Sequence, residues 1–192
     1  TVTEAILPKS STVSEFNVMI EKKKRLKLEF EPNSELCLFG ISLETEGGVI
    51  IDNFALRGHS GLLLKKIDVT VLSQFNNLLN YDLIVLQYGA NVSDESVKDF
   101  GWYESGMSSV VRHLKRGITG CPVLIISATD RAYKDINGFH SAPAISKLVS
   151  SQEKAARNTD SAFWNLYMVM GGENSMFSWV EAGLASKDFI HL

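Results

Sequence analysis

Cysteine is scarce in this 192-residue sequence: Cys37 and Cys121 stand far apart, each beside an apolar run. They have no metal-ligand spacing, and the four histidines do not cluster near them. Two buried free thiols are expected, with a single bridge as the alternative. Charge of one sign is also lacking. Lys and Arg number 19 against 22 Asp and Glu, a net charge of −3, which offers no field for a nucleic-acid backbone. The basic run Glu21-Lys22-Lys23-Lys24-Arg25-Leu26-Lys27 lies beside alternating apolar residues and reads as the solvated face of a strand or hairpin. No apolar stretch reaches the ~20 residues of a membrane-spanning helix, and Thr1-Val2-Thr3-Glu4 does not open a signal peptide. Dinucleotide loops, P-loops, internal repeats and low-complexity tracts are missing, and no cofactor is expected.

Apolar residues, by contrast, make up 45% of the chain, enough for a real core. Residues 1–47 show short strand-like runs without helices: 16–20, the period-two run Leu26-Lys27-Leu28-Glu29-Phe30, and 36–43, with a turn at Pro32-Asn33-Ser34. Three such runs are too few for a closed sandwich. From residue 48 the pattern alternates. Strands are predicted at 49–54, 82–88, 122–127 and 162–167; helices at 67–80, 104–116 and 144–158, with a helix-like run at 177–182. Strands alternating with helices predict a parallel sheet covered on both faces, with functional groups gathered where the strands end.

The last residues carry chemistry. In Asp188-Phe189-Ile190-His191 an acid precedes a histidine by three positions. One tight turn brings the carboxylate to the ring Nδ1–H and leaves Nε2 free as a general base. A surface turn near a chain end is the plainer reading of that pattern. Past the 82–88 strand, Gly89 permits an unusual turn and Asn91 can aim its amide into the cleft. Gly58, at another strand end, can expose a backbone N–H. Two such donors beside a His–Asp pair make an oxyanion hole for acyl transfer; taken singly, Gly58 suits a turn and Asn91 a cap.

Gly58, Gly89-Ala90-Asn91 and Asp188-Phe189-Ile190-His191, in this order on an α/β chain, resemble three of the four sequence blocks of the SGNH hydrolases, also called GDSL esterases/lipases. Arg57-Gly58-His59-Ser60-Gly61, Leu86-Gln87-Tyr88-Gly89-Ala90-Asn91 and Gly171-Gly172-Glu173-Asn174-Ser175-Met176 are similar to the bacterial carbohydrate and peptidoglycan O-acetylesterase branch. The resemblance covers about residues 48–192. It implies a flavodoxin-like, doubly wound parallel sheet, with His191 as general base, Asp188 as its partner, and Gly58 and Asn91 as oxyanion donors. The implied substrate is an O-acetylated carbohydrate or another small ester, in a periplasmic or secreted setting.

One block is absent: no Gly-Asp-Ser occurs in the 192 residues. In the family that block carries the nucleophilic serine on a central first strand, between the strands predicted before Gly58 and Gly89. The expectation is therefore a C-terminal portion of a longer protein. Residues 1–47 would be the remnant of an inserted β-rich sandwich, 48–192 an incomplete SGNH-type domain, and the N-terminal part of the same protein would supply the serine. Ser60 is an alternative nucleophile, but Leu62 stands where a Gly-x-Ser-x-Gly elbow needs glycine. Trp102, Tyr103, Trp164 and Trp179 are expected in the core, with Trp102 and Tyr103 also placed to floor a sugar site. Rival readings are a non-catalytic fragment that binds glycan or protein, and a response-regulator-like or flavodoxin-like binding domain.

Overall fold

Helix periodicity is where this sequence specifies structure most strongly. The computed structural model describes residues 4, 6–7, 9–20, 25–33, 35–45, 47–54, 58–89, 91–94, 96–136 and 138–192. Residues 21–24 of the basic run and Ser34 of the expected turn lie outside them. Tertiary contacts divide the chain into two units, one of residues 15–56, the other of residues 1–14 and 57–192.

The larger unit contains, in chain order, a 3-10 turn (Leu62–Lys66), α1 (Val69–Leu79), β1 (Ile84–Gln87), α2 (Gly101–Gly117), β2 (Val123–Ile126), β3 (Ala132–Asp135), β4 (Gly138–Ser141), α3 (Ala144–Arg157), β5 (Ala162–Trp164), α4 (Leu166–Met170) and α5 (Ser175–Glu181). Along α2, Tyr103, Met107, Val110, Val111 and Leu114 fall on one face and are all buried. Full burial of a Val, Leu or Met side chain contributes ~1.5–3 kcal/mol. Helices α1 and α3 both pack against α2, and α3 buries Ile145, Leu148 and Val149 as its spacing requires. At the start of α1, Asp68 accepts the Thr70 N–H at 2.6 Å, satisfying a donor the helix cannot.

Strands β1, β2 and β5 form a parallel sheet in the order β1-β2-β5. This is an α/β arrangement, a parallel sheet flanked by helices. Leu86, Val123 and Ile125 point into the helical core. On the opposite face Ile126 packs with Leu166, Met170 and Met176 of α4 and α5, but Val85 is 48% and Trp164 47% exposed. Cover on both faces is thus only partial. Among the described residues β1 pairs with β2 alone, so it forms a sheet edge. No helix among the described residues is long and apolar enough to cross a membrane.

Several expectations need correction. The runs 16–20, 26–30, 36–43 and 49–54 form no strand, and every described residue from 15 to 54 is exposed. An extended run becomes a strand only when a neighbour supplies ladder hydrogen bonds and covers its apolar face. Within one such run Lys27 Nζ pairs with Glu29 Oε1, two residues on, at 2.5 Å, both side chains in solvent. The 162–167 strand stops at Trp164, because the Asn165 side chain accepts the Met168 N–H at 3.1 Å and starts α4. Both cysteines are free, but Cys37 is exposed rather than buried, since the segment around it carries no cover. Trp102 and Trp164 are half-exposed rather than core.

Candidate active site

Because β1, β2 and β5 run parallel, their carboxyl ends share one rim. After β1 the chain turns at Gly89, with φ +142° and a Val92 N–H···O=C Gly89 bond of 2.9 Å. A Cβ on Gly89 would lie 2.7 Å from the Ala128 Cβ, so no larger residue fits between the ends of β1 and β2. The fully buried Gln152 of α3 ties these ends together. Its Nε2 donates to the Tyr88 carbonyl at 2.6 Å and its Oε1 accepts the Ala128 N–H at 2.8 Å.

The turn presents Asn91, exposed, with Nδ2 3.5 Å from the His59 carbonyl. That bond is at the outer limit of useful length, so the amide is free to turn toward a ligand. It also places Asn91 beside the Gly58–Ser60 loop. Gly58 is exposed, with φ +77° and open space around its Cα. Buried Tyr103 fixes that loop from below, its hydroxyl donating to the Ser60 carbonyl at 3.0 Å; burial raises its phenol pKa far above the usual range. Gly61 follows, where a Cβ would collide with the Tyr88 ring at 2.7 Å. The Ser60 hydroxyl accepts the Leu62 N–H at 3.4 Å, a local turn contact.

At the other end of the chain the acid–histidine turn closes. Asp188 Oδ2 lies 2.7 Å from His191 Nδ1, while Oδ1 accepts the N–H groups of Ile190 (2.9 Å) and His191 (3.1 Å). The carboxyl pKa falls from 3.8 to about 2, first through the His191 side-chain bond and then through those two N–H groups. With the carboxylate as acceptor, Nδ1 carries the proton and Nε2 presents its lone pair. The side chains are 70% (His191) and 45% (Asp188) exposed, so solvent screens the attraction and it adds little stability. Its effect is orientation. Phe189 adopts φ +60°, unusual for an aromatic residue; its ring packs on Phe139 (centroids 4.7 Å apart) and Phe177 (5.6 Å).

The structure therefore joins Asp188 to His191, and Asn91 to the Gly58–Ser60 loop. Among the described residues no hydrogen bond connects one pair with the other, and no hydroxyl bonds to His191 Nε2. Sequence reasoning missed Gln152, Tyr103 as a loop anchor, the buried Asp130, and the β3–β4 hairpin that supplies Phe139. The hairpin had a signal: Asn137-Gly138 between short apolar runs. A buried glutamine or tyrosine bridging two distant loops leaves no local pattern.

No family model and no curated protein sequence matches the chain. A solved structure of a peptidoglycan O-acetylesterase is similar, with 26% sequence identity and a TM-score of 0.56, over 65% of this chain. The match spans 35% of that protein's chain. It supports an SGNH-like, esterase-type fold.

Proposed function

We propose that this polypeptide is part of an SGNH-type serine esterase that removes an ester group, an O-acetyl, from a carbohydrate or peptidoglycan-like substrate. The observation that carries the reading is the Asp188–His191 pair, 2.7 Å apart with Nε2 left open, on a fold shared with a peptidoglycan O-acetylesterase. A serine hydroxyl attacks the ester carbonyl as His191 Nε2 takes its proton, and Asp188 stabilises the imidazolium. The Gly58 N–H and the Asn91 amide hold the oxyanion. Collapse of the intermediate breaks the bond to the sugar oxygen, which takes the proton from His191 and leaves as a hydroxyl. Water, activated by the same ring, then releases acetate from the serine.

In this reading the serine comes from a Gly-Asp-Ser strand in polypeptide outside these 192 residues, with 48–192 the remainder of the hydrolytic domain and 1–47 the end of an inserted segment. Three observations support it: no Gly-Asp-Ser occurs in the sequence; β1 is a sheet edge with Val85 half-exposed; and the similar esterase has much chain beyond the matched part. A strand added along β1 would satisfy its outer backbone groups and bring a residue to the rim beside Gly89. The test is hydrolysis of a small aryl acetate by the native polypeptide, compared with its His191→Ala variant. Equal turnover by the two would remove the proposal and leave a non-catalytic binding role.

A further inference from the structure

The Asn91 loop and the Asp188–His191 turn must be held a fixed distance apart for either to serve the other, and no hydrogen bond joins Asn91 itself to Asp188 or His191. Both are fastened to one short stretch, Asp130-Arg131-Ala132, which follows β2. Arg131 Nη1 donates to the Ser93 hydroxyl at 2.9 Å, two residues past Asn91. Ser93 is 2% exposed. The N–H of Ala132 donates to the Phe189 carbonyl at 2.9 Å, inside the acid–histidine turn. Arg131 and Ala132 are neighbours, so one side chain and one backbone N–H of the same stretch tie both loops to it.

Asp130 anchors the same stretch from beneath. It is fully buried, and both of its oxygens accept: Oδ1 from the Ser141 hydroxyl at 2.6 Å, Oδ2 from the Met176 N–H at 3.0 Å. Ser141 Oγ in turn accepts the Asn174 N–H at 2.7 Å, and the Ser141 N–H reaches Asn174 Oδ1 at 3.3 Å. One carboxyl thus joins β4, the entry to α5 and the end of β2. Helix α5 supplies Phe177 and β4 supplies Phe139, the two rings that hold Phe189. Burying a carboxyl is costly unless its oxygens are satisfied, and an apolar residue would fill the space at lower cost. What the carboxyl adds is direction, two acceptors at fixed angles.

We infer that Asp130, with Arg131, is a positioning residue: it sets the orientation of the His191 ring relative to Asn91 without touching substrate. This rests on the esterase reading for its consequence in catalysis, but the geometric part can be measured without activity. In Asp130→Asn one of the two N–H or O–H donors faces an amide NH2 instead of an acceptor. Ser141→Ala is a milder cut in the same network.

The experiment uses the native polypeptide with 15N-labelled histidine, the His191 signals being assigned by their loss in His191→Ala. The wild type is expected to show His191 protonated at Nδ1. Asp130→Asn should shift the ring toward a mixture of tautomers and lower kcat on an aryl acetate about a hundredfold, with KM moving much less. Ser141→Ala should move both readouts in the same direction by less, and it carries the test if Asp130→Asn fails to fold. Folded variants with an unchanged His191 tautomer would overturn the inference. If the wild type shows no esterase activity but the tautomer still follows Asp130 and Ser141, the esterase reading fails and the positioning role stands.

Discussion

Residues 15–56 and the region from 62 to 192 are similarly rich in apolar side chains, yet among the described residues regular structure lies in the second. The difference lies in which elements can satisfy themselves. A helix closes its own backbone hydrogen bonds and needs a neighbour only for its apolar stripe. A strand needs a neighbour for both. In the helix-rich region, α1, α2 and α3 cover one another and one sheet face; between 15 and 54, runs such as Leu26–Phe30 keep their alternation while their side chains face solvent. Alternating sequence is thus a statement about a partner as much as about the segment.

Several measurements would break or sharpen that contrast. The largest effect concerns the chemistry assigned to the helix-rich region: His191→Ala should lower aryl acetate hydrolysis by the native polypeptide about a thousandfold or more. Next is Asn91→Ala, expected to lose about a hundredfold in kcat through one missing oxyanion donor. Stability should divide along the same line. Leu148→Ala, at a side chain with no exposure, should cost ~2–5 kcal/mol in urea unfolding of this chain, whereas Leu28→Ala should stay within about 0.5 kcal/mol. Backbone amides of 26–30 should exchange with solvent far faster than those of Val110 or Leu148. Slow exchange at 26–30 would mean that these residues have a pairing partner after all.

The smallest expected effect is of pH on the acid–histidine turn. The Asp188 carboxyl is depressed from 3.8 to about 2, so its contribution is fully present above the higher value and is lost as pH falls through the lower one. Ring resonances of His191 should therefore report an intact turn down to pH 3.8 and its opening between there and about 2. Opening well above that window would show that the hydrogen bond does not form in solution.

Much of the candidate site's local geometry was legible because it is local. Asp188 and His191 are three residues apart and meet in a single turn, and Gly89 announces its special backbone by being glycine at the end of an apolar run. The rim followed from parallel strands alternating with helices. What joins these parts was not legible. Gln152 and Tyr88 are 64 residues apart, and Asp130 and Met176 are 46 apart; such bonds depend on how helices and strands are laid side by side. The hairpin that carries Phe139 was passed over because Asn137-Gly138 sits between runs too short to stand out.

By itself, then, the sequence determined the helices α1, α2 and α3, the three parallel strands and the acid–histidine turn, since each is written in spacings of two, three or four residues. Only the tertiary structure decided that the described residues of the 15–54 runs form no strand and that the stretch after β2, held by one buried carboxyl, links the acid–histidine turn to the Asn91 loop. Pairing and burial depend on residues distant in the chain, and no local spacing records which of them will meet.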